Sequence, residues 1–394
     1  MAQRPLDGIT IVSLEHAIAA PFCTRQLADL GARVIKVERP GRGDFARDYD
    51  QRTGGMASHF AWVNRSKESL TLDLKQLPAL DVLHALVARA DVLVQNLAPG
   101  AAARMGFSYE LLRERHPRLV VCDISGYGND GPYRDRKAYD LLIQAEAGYL
   151  SVTGTPDEPC KSGNSIADIA AGMVAYSGVL AALLQRQRTG EGSHIDVSML
   201  ESLTEWMGFP LYYAYQGQTP PPRSGASHAT IYPYGPFEAG DGKTVMLGLQ
   251  NEREWVLFCE QVLLQPALAA DPRFDSNAKR NEHRSELHAL IVQAFAPLTA
   301  EKVVQRLDQA QIANARVNGM AEVWAHPQLA ARQRETEVGS PVGPIAALLP
   351  PGVHSSFEYR MDAIPAVGEH THAILRELGI EDLEIVRLRE QGAV

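Results

Sequence analysis

Asp168 stands in Ser165-Ile166-Ala167-Asp168-Ile169-Ala170-Ala171-Gly172, and the nearest Lys, Arg, His, Asp or Glu is Lys161, seven positions away. Behind it, Met173 to Leu184 reads as a nearly all-round apolar helix, so the carboxylate lies at the N-terminal edge of something buried. Two chemistries suit such a residue. An aspartate there caps the helix by accepting a bond from an orphan backbone N–H. The same carboxylate, held by a helix N-terminus and shielded from water, is a candidate nucleophile for covalent catalysis.

The elements around it form a βαβ opening. Ile9 to Leu14 is β-branched and apolar, Pro21 to Leu30 has helical spacing ending at Gly31, and Arg33 to Glu38 is a second strand. Leu70 to Leu74, Val92 to Asn96, Leu119 to Ile124 and His194 to Ser198 read as further strands, with helices at Leu77 to Ala90 and Tyr109 to His116. Strands alternating with helices predict a mostly parallel, doubly wound α/β sheet. The Pro-rich run Gln218 to Arg223 is the clearest linker, and beyond it short strands and helices predict a smaller α+β domain. The expected boundaries are 1–199 for the large domain, 200–224 for the linker and 225–319 for the small domain. Residues 320–394, with amphipathic helices at Thr371 to Gly379 and Asp382 to Arg389, return to the large domain.

Glu38 ends the second strand, where a dinucleotide fold binds a ribose hydroxyl. The first strand-to-helix turn, Glu15 to Pro21, contains no glycine, so the G-x-G-x-x-G fingerprint fails. No P-loop, zincin helix or G-x-S-x-G elbow is present. The chain of 394 residues is 45% hydrophobic, long enough for two domains, and its net charge of -9 without a long basic run argues against nucleic acid or an anionic membrane as partner. Its four cysteines lack metal-ligand spacing, which predicts no metal site. The N-terminus lacks an apolar leader and no apolar stretch reaches the roughly 20 residues of a membrane span, so a soluble cytoplasmic protein is expected.

In place of a glycine-rich turn, cations sit on strand ends and loops: Arg39, Arg47, Lys67, Lys75, Arg104 and Lys137. Strand ends of an open α/β sheet are where ligands bind. An acyl-CoA presents phosphates that need several positive groups and an apolar arm that a helix-lined slot accepts, and this inventory suits it.

Five segments together carry a resemblance: Val34-Ile35-Lys36-Val37-Glu38-Arg39-Pro40-Gly41 with Gly43-Asp44, Asn64-Arg65-Ser66-Lys67-Glu68-Ser69-Leu70 with Leu72-Asp73 and Lys75, Asp91 to Asn96, Ile124-Ser125-Gly126-Tyr127-Gly128 with Gly131-Pro132, and Ile166 to Gly172 with Gly190 and Gly192. In order and spacing the chain resembles the family III CoA-transferases, the group containing formyl-CoA transferase and carnitine CoA-transferase. The resemblance implies a large Rossmann-like domain built from both chain ends, a small domain between them, and a homodimer of two interlocked rings. It implies Asp168 as nucleophile, passing through an aspartyl anhydride and an aspartyl-CoA thioester, with the coenzyme A thioester as substrate and no tightly bound cofactor. Matching positions for CoA contact are His16, Ala17, Ile18, Ala19, Arg39, Leu72, Lys75, Asn96, Leu97, Arg104 and Lys137.

Formyl-CoA transferase carries a run of glycines where this chain reads Arg223 to Gly235. That departure predicts an acid longer than formate or oxalate. Arg223, His228, Tyr232 and Tyr234 are candidates to read a second carboxylate, and a dicarboxylate of four or five carbons, such as succinate, malate, mesaconate, itaconate or glutarate, is the expected acceptor. Two other readings compete. An α-methylacyl-CoA racemase would use a His where this chain has Tyr139, a weak base at neutral pH. A non-catalytic acyl-CoA binding protein would not need Asp168 at all.

Overall fold

The computed structural model describes residues 3–394, which divide into two compact units. Among the described residues the first comprises 3–148, 162–208 and 331–394, and the second 149–161 and 209–330. Residues 149–161 therefore belong with the second unit, and that unit is wider than the 225–319 read from composition. The excursion is short and its backbone bonds to the later segment, as in the Gly225 N–H that donates to Gly154 O at 2.7 Å.

In the first unit six strands, β1 (Thr10–Leu14), β2 (Arg33–Glu38), β3 (Lys67–Thr71), β4 (Val92–Gln95), β5 (Val120–Ser125) and β6 (His194–Ser198), form one sheet in the order β3-β2-β1-β4-β5-β6. Every pairing in it is parallel. That order reverses between β1 and β4, the switch point at whose C-terminal ends open α/β sheets bind ligands. β3 begins three residues before the expected Leu70, because the polar start Lys67-Glu68-Ser69 pairs with Val34 to Lys36 on β2. Hydropathy alone missed it, since the Lys67 side chain is buried on a charge rather than on apolar neighbours.

One face of the sheet, with Val12, Leu14, Ile35, Val37, Leu93 and Val121, packs under the Leu77–Val87 helix and the C-terminal helices Thr371–Glu377 and Asp382–Glu390. The other face carries the Ala19–Asp29 and Ile166–Thr189 helices, packed side by side. The second of these runs for 24 residues with a mean hydropathy of 1.7 in its most apolar stretch. By length and composition it matches a membrane span, so the expectation that no such stretch exists is corrected. Its apolarity is used here against the neighbouring helix and strands β5 and β6.

Small residues let the two helices approach. A Cβ on Gly172 would lie 2.7 Å from Ala19 O and 2.9 Å from Phe22 Cδ1, so only hydrogen fits. Ala19 is the first residue of its helix. Asp168 is one turn N-terminal to Gly172, about 6 Å along the axis from this close approach. The helix stops at Gly190, in the left-handed conformation at φ 80°.

In the second unit, three antiparallel strands, β7 (Tyr234–Glu238), β8 (Thr244–Gly248) and β9 (Ala313–Arg316), join a core of Phe237, Trp255, Phe258, Phe274, Phe295 and Leu307.

Gly172→Ala should separate the helices and displace Asp168. The expected result is a loss of about 1–3 kcal/mol in denaturant unfolding, with a fall in turnover larger than the stability loss explains.

Candidate active site

The site is built on a buried ionic lattice. Glu15, Lys36, Asp44 and Lys67 have fully or almost fully buried side chains at the ends of β1, β2 and β3. Lys67 Nζ donates to Glu15 Oε1 at 2.7 Å and to Pro21 O and Asn64 Oδ1 at 3.1 Å. Lys36 Nζ donates to Asp44 Oδ2 at 2.8 Å, and Thr24 Oγ1 to Glu15 Oε2 at 2.6 Å. Burial alone would raise the Glu15 pKa, but Lys67 and Lys36 overcome it and hold Glu15 below its ordinary value. Beside it, Arg47 grips Glu38 with Nε and Nη2 at 2.9 and 2.7 Å while its guanidinium lies 3.7 Å from the Phe60 ring centroid.

These pairings sort the cations at the strand ends. Arg47 and Lys67 are spent on internal carboxylates, so neither is a free phosphate ligand. Glu38 also accepts from Ser69 Oγ at 2.6 Å and from Asp44 N at 2.9 Å, which leaves it no role toward a ribose. In contrast, Arg39, Lys75, Arg104 and Lys137 are exposed and make no ion pair among the described residues. Each lies on a connection leaving the C-terminal end of β2, β3, β4 or β5.

The lattice shapes the loop that a glycine turn would otherwise form. Ala17 adopts φ 59° and its N–H donates to Asp44 Oδ1 at 3.3 Å. A non-glycine residue there is strained and needs its surroundings to hold it. Across the switch point, Asn96 Oδ1 accepts from His16 N at 2.8 Å and Asn96 Nδ2 donates to His16 O at 2.9 Å. Leu97 N donates to Gln95 Oε1 at 2.8 Å. His16 to Ala19, Asn96 and Leu97 are thus drawn into one place. Leu72 is 1% exposed, its side chain part of the core and its N–H donated to Glu38 O at 2.9 Å, which corrects the expectation that it contacts the ligand.

His16 Nδ1 is buried without a hydrogen-bond partner. Its ring stacks on Phe45 with centroids 5.4 Å apart, and Phe45 leans on Tyr49 at 5.8 Å. Both of those rings are 49% exposed, giving the loop an apolar flank.

Asp168 is not the helix cap. The helix begins at Ile166 with Ser165 as N-cap, and Ser165 makes no side-chain cap bond. The orphan N–H groups are served from outside, by Asp140 Oδ1, which accepts from Ala167 N at 2.8 Å and Asp168 N at 3.4 Å. Asp140 Oδ2 accepts from Gln144 Nε2 at 2.6 Å, and Gln144 Oε1 in turn accepts from Ser162 N at 2.9 Å. Freed from capping, the half-buried Asp168 carboxylate takes no hydrogen bond among the described residues. Burial first, and the Asp140 charge second, push its pKa from 3.8 up to about 7. The helix N-terminal dipole acts in the opposite direction, and burial outweighs it. Asp140 and Gln144 were missed in the sequence because a capping carboxylate 28 positions away carries no local signal.

The four acceptor candidates lie in the second unit. Tyr232 is 2% exposed and serves the core, its hydroxyl 3.2 Å from His288 Nδ1. His228 Nδ1 accepts from Thr230 N and Ile231 N, and its ring stacks on Tyr234 at 5.2 Å. Arg223 Nε donates to Thr155 O at 2.8 Å and Nη2 to Pro156 O at 2.7 Å. Tyr139, the position that separates the racemase reading, is 70% exposed.

The family model for CoA-transferase family III matches residues 6–371. Succinyl-CoA:glutarate CoA-transferase of Homo sapiens is 32% identical over 99% of this chain and 90% of its own length. Acetyl-CoA:oxalate CoA-transferase of Acetobacter aceti is 35% identical over 86% of this chain and 87% of its own. Among solved structures, a CAIB/BAIF family protein from Brucella suis matches with TM-score 0.85 and 32% identity, over 95% of this chain and all 100% of that one.

A raised carboxylate pKa has a defined cost. The folded protein holds the Asp168 proton more tightly than the unfolded chain between pH 4 and 7, so stability falls as pH rises through that window, and the loss is complete above pH 7. Asp168→Asn should therefore be more stable than the parent by about 1–3 kcal/mol at pH 8, the gap closing near pH 4. Urea unfolding across that range measures it, and an equal gap at both ends would contradict the assignment.

Proposed function

The chain belongs to CoA-transferase family III and is an enzyme of the transferase class, and on that premise we propose that Asp168 is its nucleophile and that the acid it loads with CoA is a dicarboxylate of four or five carbons. The observation that carries the first part is the unbonded Asp168 carboxylate, its pKa raised to about 7 by burial, one helical turn from the close packing of Gly172 on Ala19. Desolvation makes an ionised carboxylate a stronger nucleophile toward a carbonyl.

In this reading the CoA thioester lies along the C-terminal ends of the strands. His16 to Ala19, Asn96 and Leu97 line its thioester side. Arg39, Lys75, Arg104 and Lys137 are the free cations for its phosphates. An Asp168 oxygen attacks the thioester carbonyl carbon, the tetrahedral oxyanion collapses, and the C–S bond breaks to release CoA thiolate and leave a mixed anhydride. The thiolate attacks the aspartyl carbonyl, expelling the donor acid as carboxylate and leaving an aspartyl-CoA thioester. The acceptor carboxylate attacks that thioester to give a second anhydride. The thiolate returns to the acceptor's acyl carbon, and Asp168 leaves as the free carboxylate it began as. Protons balance because both acids enter and leave ionised.

The C4 to C5 dicarboxylate reading is supported by the absence of a glycine run in Arg223 to Gly235 and by relatives named for glutarate and for mesaconate. The relative named for oxalate marks the shorter diacid as the comparison that matters.

Incubation with acyl-CoA followed by hydroxylamine or borohydride should leave a modified Asp168, seen by peptide mass spectrometry, and Asp168→Ala should abolish both adduct and exchange. An unmodified Asp168 with exchange intact would sink the mechanism. The acid limb of kcat/KM for acyl-CoA should rise with pH toward about 7, because only the ionised form attacks. In a panel of acceptor acids, exchange confined to monocarboxylates or to oxalate would overturn the proposed length.

A further inference from the structure

We infer that Gln95, Asp123 and His194 form a relay across three strands that sets the backbone turn at Asn96 and Leu97, and that they are positioning residues for coenzyme A. The relay lies wholly within the first unit, and its link to CoA rests on the proposed place of CoA at that turn.

Strand period places the relay. Leu93 on β4 and Val121 on β5 belong to the apolar face of the sheet, and two residues further along each strand that face turns polar, with Gln95 and Asp123 paired in register. Asp123 Oδ1 accepts from Gln95 Nε2 at 2.9 Å, and its Oδ2 lies 2.8 Å from His194 Nε2 at the start of β6. His194 is the register partner of Val121, so it reaches Asp123 on the diagonal. Its ring lies flat on Tyr109, with centroids 4.8 Å apart.

The chemistry of the amide fixes the direction of the relay. An ionised carboxylate only accepts, so Asp123 takes the NH2 side of Gln95 and leaves the amide oxygen to accept from Leu97 N at 2.8 Å. Turned over, the same amide would oppose its NH2 group to the Leu97 N–H. Asp196 is the register partner of Asp123, a like charge beside it, and its own Oδ2 accepts from Asn129 N. His194 offsets that charge. Its bond to Asp123 raises its pKa against the opposing effect of burial, and the charges of Asp196 and Glu110 add to the rise.

The two residues that leave β4 thus both grip backbone. Asn96 holds the N–H and the carbonyl of His16, and Gln95 holds the N–H of Leu97. The chain then runs through Ala98 to Gly100 into the short helix Ala101–Arg104, which ends on one of the free cations. A turn fixed before the ligand arrives has little left to order on binding. A polar cluster that merely stabilised the sheet would be indifferent to which way the Gln95 amide faces, and the test reads that difference.

In the full-length enzyme, free coenzyme A is titrated calorimetrically into Gln95→Leu, Asp123→Leu, the exchanged pair Gln95→Glu with Asp123→Asn, and Asn96→Ala. Hydrogen exchange at the Leu97 amide and urea unfolding are read on each. Gln95→Leu and Asp123→Leu should bind CoA roughly fivefold more weakly, the scale of one hydrogen bond, and exchange Leu97 faster. The KM for the acyl-CoA donor should rise with them while that for the acceptor acid does not. The exchanged pair keeps an acceptor on the Leu97 N–H and should recover most of the loss. Unchanged Leu97 exchange, a loss confined to Gln95→Leu, or an exchanged pair as weak as Gln95→Leu would overturn the inference. If Leu97 exchange rises while CoA binding is unaltered in the relay variants and in Asn96→Ala, the placement of CoA at this turn fails and the backbone relay stands. If Asn96→Ala weakens CoA and the relay variants do not, the relay's role toward CoA fails alone.

Discussion

Glu15 is a carboxylate with no access to water, and what surrounds it explains much of the first unit. It is tolerated because Lys36 reaches it from β2, the neighbouring strand, and Lys67 from β3 beyond that, so the three strands must stay in register for the charge to be met. Asp44, held by Lys36, then accepts from Ala17 N and stabilises a backbone conformation that glycine would usually supply. A dinucleotide fold obtains its tight first turn by deleting side chains. This chain obtains one by electrostatic support from below, which leaves room for side chains such as His16 on the loop itself. Removing one partner would strand a buried charge at a cost of about 3–5 kcal/mol, and the loop geometry would be lost with it.

Asp168, the proposed nucleophile, is treated in the opposite way. Glu15 receives two ammonium groups and a hydroxyl, whereas Asp168 receives nothing and has Asp140 as a neighbour. Burial pushes both pKa values up, and they end on opposite sides of the ordinary value because only Glu15 has cations beside it. Asp140 does two jobs at once, satisfying the helix start and keeping Asp168 free of it.

The sheet, the charge-bearing strand ends and Asp168 itself were legible in the sequence, because period, β-branching and an isolated charge are local signals. What sequence could not separate was which cations are free. Arg39 and Arg47 look alike in a string of letters, yet one is exposed and the other is clamped on Glu38 under Phe60. Lys67 hid a strand start for the same reason, being a charge in a buried place. The cap of the long helix was misread because its donor groups are served by a residue on another element.

The C-terminal segment seals β3. His370 Nδ1 accepts from Ser69 N at 3.2 Å, Thr371 Oγ1 from Thr71 N at 3.0 Å, and Ala393 O from Asp73 N at 2.9 Å. These contacts span some 300 residues of chain. During synthesis the ribosome delivers β3 long before the residues that finish its outer edge, so that edge stays unpaired and prone to mispairing while most of the polypeptide is being made. Closure of such distant contacts is slow. The sheet edge of the unit that carries Asp168 is therefore closed only after the intervening second unit has been made.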